Sequence, residues 1–296
     1  MASAHQSDGA IVKSPASSVG LALGGGGARG LAHILILEAF DELGIKPAII
    51  AGTSIGAIFG AAYAAGLTAA EIRKRSEEIL SNPAEIARRL FSSATASWKD
   101  LLTFRPSFPG ALINPQSLIE IIFPEAAAKE FTELKIPLRV IATDYGKQVS
   151  VILQGGTLAP AIAASMALPA LFRPVERDGL ILVDGGLTNP LPYDIVKPDC
   201  AITVAVDVTG LRTPNNNRKP NALEAVLGTS QIMQNAIIRE KLKRQQPDIL
   251  IRPPVDDFRI LEFYRIGKIL AASTPVKDEL KRALEARLSG GREKTP

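Results

Sequence analysis

The sequence Gly52-Thr53-Ser54-Ile55-Gly56 follows a short apolar run and precedes a stretch of small residues. A serine two residues from a glycine on each side suits a sharp strand-to-helix turn. Its hydroxyl stands exposed as a nucleophile, the glycines relieve crowding, and the next N–H, that of Ile55, can help hold an oxyanion. The competing reading is a tight turn with a helix-capping serine. A second glycine cluster, Gly25-x-Gly27-x-x-Gly30, also sits between an apolar run and a helical pattern. It matches a dinucleotide fingerprint in form, but that site needs an acidic residue at the end of the next strand to bind a ribose. The chain has no carboxylate between Glu42 and Glu71. A bare glycine backbone at a helix start has another use, as a set of N–H donors to a developing oxyanion.

A serine nucleophile needs a base, and the chain holds two histidines. His5 belongs to a polar leader, and His33 lies on Leu31-Ala32-His33-Ile34-Leu35, where packing against a sheet is the expected role. Carboxylates at strand ends remain. Asp184 follows Leu180-Ile181-Leu182-Val183 and precedes Gly185-Gly186, and Asp144 and Asp207 occupy similar positions as rivals. Capping and turn formation are the alternative role for all three. The single cysteine, Cys200, rules out an internal disulfide framework and any cysteine-based metal cluster.

These residues require elements that hold them. Apolar runs predict strands at 18–23, 48–51, 138–143, 149–153, 180–183 and 201–206, with helices at 28–43, 69–80, 159–166, 222–245 and 260–288 and a small-residue helix ending at Gly66. Strands alternating with helices predict an α/β fold, a three-layer α/β/α sandwich with a mostly parallel central sheet. Of 296 residues, 46% are hydrophobic and 22% charged, a composition that fits a folded domain. The expected organisation is a flexible leader at 1–17, a catalytic domain at 18–212 and a mobile loop with C-terminal helices at 213–296 packed on the same domain. The apolar stretch at 47–70 reads as strand, sharp turn and helix, and that at 148–172 is broken by Gly155, Gly156, Pro160 and Pro169, so no membrane span or signal peptide is expected and a cytoplasmic location is. Arg239 to Pro296 carries 14 Lys+Arg against 9 Asp+Glu. A solvated helical face is the favoured reading of that basic end, peripheral contact with an anionic membrane is the second, and nucleic acid is disfavoured.

Three ordered motifs, Gly25-Gly26-Gly27-Ala28-Arg29-Gly30, Gly52-Thr53-Ser54-Ile55-Gly56 and Asp184-Gly185-Gly186, resemble the patatin-like phospholipase family. The resemblance covers about residues 19 to 210 and extends to Gly30-Leu31-Ala32-His33, to Ala164-Ser165-Met166-Ala167-Leu168-Pro169-Ala170-Leu171-Phe172 and to Leu187-Thr188-Asn189-Pro190-Leu191-Pro192. It implies a catalytic dyad of Ser54 and Asp184, an oxyanion hole at Gly25, Gly26 and Gly27 joined by Ile55, and Arg29 as a basic residue that braces the loop or orients a lipid phosphate. Gly30, Gly52, Gly56, Gly185 and Gly186 would support these motifs. It further implies an acyl-enzyme route with no metal or organic cofactor and a lipid or ester substrate, as in a phospholipase A, a lysophospholipase or a carboxylesterase. The alternative is a regulatory or lipid-binding protein of this fold with little turnover. Phe91, Trp98, Phe104, Phe108, Phe123 and Phe131 suggest that 80–131 forms a cap over an acyl-chain cleft, or else a satellite core.

Overall fold

A computed structural model of the chain describes residues 18–80, 115–127, 129–211, 219 and 222–290. Eight strands form one sheet: β1 (Val19–Leu23), β2 (Ile49–Thr53), β3 (Leu138–Asp144), β4 (Val149–Leu153), β5 (Val175–Arg177), β6 (Leu180–Asp184), β7 (Ile202–Val206) and β8 (Ile249–Ile251). Their order is β5-β6-β3-β2-β1-β7-β8, with β4 also paired to β3. The longer helices are α1 (His33–Glu42), α2 (Ile55–Ala64), α3 (Ala69–Leu80), α4 (Pro115–Ile122), α5 (Leu158–Ser165), α6 (Ala222–Arg244), α7 (Ile266–Ser273) and α8 (Pro275–Gly290).

The central strands β1, β2 and β7 are buried along their whole length, as their unbroken apolar sequences require when both faces are covered. Leu21, Leu23, Ile50, Val204 and Val206 join a large core with α1, α2, α7 and α8. The opposite face is thinner. Ala22 stands in register with Ala51 and with Ala205, a row of small side chains that lets Tyr193, Val196 and Ile238 of the covering layer approach closely. The result is the expected three-layer sandwich.

Five strands, β3-β2-β1-β7-β8, run parallel, whereas β4 and β6 pair antiparallel with β3, and β5 antiparallel with β6. The connections explain the reversal. A parallel crossover needs a dozen residues or more, and β3 reaches β4 through only 145–148. Between β5 and β6 lie just Asp178 and Gly179, both at positive φ (52° and 76°), the backbone of a tight two-residue hairpin. The helix expected over 260–288 is divided: a 3-10 turn at Phe263–Arg265 leads into α7, and Pro275 starts α8 because proline fits a first helical turn and not an interior. The helix expected at 28–43 likewise begins as a 3-10 turn over Gly27–Ala32.

Many cations of the basic C-terminal portion face acids of the protein itself. Lys277 pairs with Glu38 and Glu42, Lys281 with Glu42, Lys241 with Asp194, and Arg252 with Asp207. Phe123 and Phe131 are buried in the main core, while Phe91, Trp98, Phe104 and Phe108, with most of the expected cap, lie outside the described residues, as do the leader and most of the loop at 213–221.

Candidate active site

Register along β3 explains how two residues 130 positions apart come together. On one edge of β3, β2 pairs through Thr53↔Ile141, and the pairing with β6 begins at the next position, Ala142↔Asp184. The other edge is occupied by β4, so β2 and β6 share one edge and meet tip to tip from opposite directions. Ser54 leaves the tip of β2 and Asp184 forms the tip of β6. Ser54 Oγ donates to Asp184 Oδ2 at 2.7 Å.

Ser54 has φ 53° and ψ −120°, a strained backbone for a residue with a side chain. The crowding at this elbow accounts for a glycine at 56, where a Cβ would collide with the Leu23 carbonyl. The segment after Asp184 ties the parts together. Thr53 Oγ1 donates to the Asn189 carbonyl at 2.8 Å, and Gly25 N–H donates to the Pro190 carbonyl at 2.9 Å. Thr143 Oγ1 donates to the carbonyl of Asp184 at 2.9 Å.

The glycine loop differs from the sequence expectation in one respect. Gly25 lines the cavity, and a Cβ on it would lie 3.5 Å from Ser54 Cβ, but its N–H is bound to Pro190 and does not serve as an oxyanion donor. Gly26 and Gly27 remain. Their N–H groups and that of Ile55 meet no protein acceptor among the described residues, as befits the open starts of a 3-10 turn and of α2. Gly27 takes φ +59°, which favours glycine at that point.

Arg29 is buried and points away from the cavity. Its Nε donates to the Phe258 carbonyl at 2.7 Å, one terminal nitrogen to the Thr209 carbonyl and the other to Gln231 Oε1 at 3.2 Å. The side chain braces the loop. His33 is also fully buried, with Nε2 2.9 Å from the Gly24 carbonyl, so that nitrogen carries the proton. Burial pushes its pKa down to about 4, and it makes no contact with Ser54.

Asp184 is 3% exposed, and burial raises its carboxyl to about 6 against the lowering effect of the hydrogen bonds from Ser54 and from Gly186 N–H at 2.7 Å. The rival aspartates are engaged elsewhere. Asp144 accepts from the N–H groups of Gly146 and Lys147, a turn, and Asp207 accepts from Thr209 and Arg252. The dyad opens into a cavity of about 180 Å³ whose walls are mainly apolar, including Ile58, Ile79, Leu80, Ile122, Met166 and Phe172. Gln234, on α6, brings a carboxamide to this wall beside Gly186. Gln234 does not stand out in the sequence, because a glutamine on a long helix is ordinary, and Ser165, whose Oγ accepts from Ser54 N–H at 2.8 Å, lies in a segment of the resemblance but receives no role from the sequence.

Residues 21–197, more than half of the chain, match the family model described as patatin-like phospholipase. The chain belongs to the patatin-like phospholipase family. An uncharacterized NTE family protein of Mycobacterium tuberculosis is 32% identical over 241 residues, which cover 76% of this chain and 60% of that protein. Patatin-like phospholipase domain-containing protein 6 of Homo sapiens is 28% identical over 283 residues, covering 86% of this chain and 19% of that protein. The chain thus spans 60% or less of the length of these relatives. Among solved structures, VipD from Legionella pneumophila aligns with a TM-score of 0.49 and 14% identity over 92% of this chain and 67% of that one. Among the described residues, no helix is long and apolar enough to cross a membrane.

Proposed function

We propose that the protein is a serine lipid acyl hydrolase of phospholipase A, lysophospholipase or carboxylesterase type, working through a Ser54–Asp184 dyad. The observation that carries this reading is the 2.7 Å hydrogen bond from Ser54 Oγ to the buried Asp184 carboxylate beside an apolar cavity. With its pKa near 6, Asp184 is ionised at neutral pH yet more basic than a solvated aspartate.

In the first half-reaction Asp184 takes the Ser54 hydroxyl proton as Oγ attacks an ester carbonyl. The N–H groups of Gly26, Gly27 and Ile55 hold the oxyanion, helped by the positive end of α2. Collapse of the tetrahedral intermediate breaks the ester C–O bond, and Asp184 returns the proton to the departing alcohol. Water, deprotonated by Asp184, then attacks the acyl-serine, and the fatty acid leaves as Oγ regains its proton. The apolar walls suit the acyl chain. Gln234, beside Gly186, suits the more polar alcohol side, where a free amide donates to or accepts from glycerol oxygens.

A fluorophosphonate label and p-nitrophenyl ester hydrolysis test the reading. The parent protein is expected to label on Ser54 and to hydrolyse the ester, with both activities lost in Ser54→Ala. Hydrolysis that survives Ser54→Ala unchanged would falsify the dyad.

A further inference from the structure

The rung that should join the tip of β2 to β3 is not made directly. Ile50 N–H donates to the Pro137 carbonyl at 2.9 Å, one residue before its register partner Leu138. In a parallel ladder that phase repeats every second residue, so the next donors are Gly52 and Ser54 and their acceptors are the carbonyls of Arg139 and Ile141. At the last of these rungs a side chain is inserted. Ser54 N–H donates to Ser165 Oγ at 2.8 Å, and the Ser165 hydroxyl donates to the Ile141 carbonyl at 2.5 Å.

The insertion has geometric consequences. Ile141 is the last β3 residue paired with β2, so the hydroxyl sits at the seam where β2 gives way to β6. It keeps Ser54 one hydroxyl's width away from β3 while satisfying both backbone groups, and Ser165 itself is fully buried. Two residues further on, the Ala167 carbonyl accepts from Asp184 N–H at 3.1 Å. One short piece of chain, from the last residue of α5 to Ala167 just beyond it, therefore holds the backbones of both dyad partners, the serine through Ser165 Oγ and the aspartate through the Ala167 carbonyl.

The geometry points to Ser165 as a positioning residue: its hydroxyl replaces a ladder hydrogen bond and so fixes the strained Ser54 elbow at hydrogen-bonding distance from Asp184. This inference rests on the dyad reading above. Without the hydroxyl, either Ser54 N–H and the Ile141 carbonyl are left unpaired in the interior or the elbow moves in to make the direct rung. In both cases Ser54 Oγ loses its alignment with Asp184, while the acyl-binding walls are untouched.

The test is steady-state kinetics and the rate of fluorophosphonate inactivation for Ser165→Ala and Ser165→Thr beside the parent. Ser165→Ala is expected to lower kcat and the inactivation rate together by about 10- to 100-fold, with KM within about twofold. The acid limb of its pH profile should also move upward, because the hydrogen bond from Ser54 lowers the Asp184 pKa. Ser165→Thr, which keeps the hydroxyl, should recover a large part of kcat. If Ser165→Ala does not fold, Ser165→Cys, a near-isostere with a weak donor, takes its place with the same expected loss. The inference is overturned by kcat and inactivation rates within twofold of the parent, by a loss confined to KM, or by equal losses in the Ala and Thr variants, which would assign the effect to packing. An unaffected Ser165→Ala beside an inactive Ser54→Ala sinks this inference alone, whereas an active Ser54→Ala sinks the dyad.

Discussion

Asp184 ends β6 and Asp207 directly follows β7, and both are buried, at 3% and 8% exposure, yet their surroundings differ in kind. Around Asp207 the protein supplies a full set of partners. Thr209 donates through its N–H at 3.2 Å and its hydroxyl at 2.5 Å, and Arg252 donates from Nε at 3.1 Å. Asp184 receives one backbone N–H and the hydroxyl of Ser54, and among the described residues no cation contributes to its environment. Equal burial thus has opposite outcomes. A carboxylate with a guanidinium beside it serves the fold, whereas one left short of partners stores basicity for a reaction, at some expense to stability.

The largest effect that could break this contrast is on turnover. Asp184→Asn, like Ser54→Ala, is expected to reduce ester hydrolysis by roughly 10³-fold or more, and the double variant should be little worse than either because the pair acts as a unit. Asp207→Asn should keep activity within a few-fold. Comparable losses in Asp184→Asn and Asp207→Asn would erase the distinction.

Stability should move in opposite directions. The Asp184 pKa lies above its unfolded value of 3.8, so the native state binds its proton more tightly, and keeping the group ionised at neutral pH costs about 2–3 kcal/mol. Thermal unfolding at pH 7 should therefore show Asp184→Asn more stable than the parent. Asp207→Asn should be less stable by about 1 kcal/mol, since it weakens a hydrogen-bonded charge pair with a half-exposed arginine.

Next in size is the pH dependence of kcat/KM, which should fall on the acid side with a midpoint near 6 as Asp184 takes up a proton. Arg252→Ala should leave that midpoint in place, and a shift of a full unit there would tie the two carboxylates together.

A last effect, read only as a difference in slope, involves His33. Its folded pKa of about 4 lies below the usual 6.5, so its neutral burial stabilises the protein above pH 6.5, and this stability is lost as the pH falls towards 4. Asp184 acts with the opposite sign, gaining stability as the pH falls from about 6 to 3.8. In the parent the two offset each other between pH 4 and 6. Asp184→Asn removes one of them, so its melting temperature should drop more steeply over that range than the parent's.

The sequence conveys the parallel centre of the fold well, because unbroken apolar runs ending in glycine have few other readings. It conveys the sheet's periphery poorly. Val175–Arg177 and Ile249–Ile251 are three-residue strands, too short to carry a period, and the Asp178-Gly179 hairpin signal lies between two segments only one of which reads as a strand. In the site, Ser54 stands out because its neighbours are glycines. Asp184, Asp144 and Asp207 all close apolar runs, and what separates them is their partners: Ser54, 130 residues away, for the first, a local turn for the second and Arg252, 45 residues away, for the third. The direction of the Gly25 N–H is set by Pro190, 165 residues away, and has no local signature.

The tip-to-tip meeting of β2 and β6 also bears on how the protein fails under heat. β2 lies between β1 and β3 in the buried parallel centre, whereas β6 is paired to β3 at only three positions and has the three-residue β5 as its outer neighbour. The strand that carries Asp184 is consequently the weaker of the two supports, and local opening there separates the acid from the serine while the centre of the sheet is still intact. The junction should act as a thermal fuse: on warming, ester hydrolysis is expected to disappear before the far-ultraviolet signature of the sheet, as parallel activity and circular-dichroism melts would check.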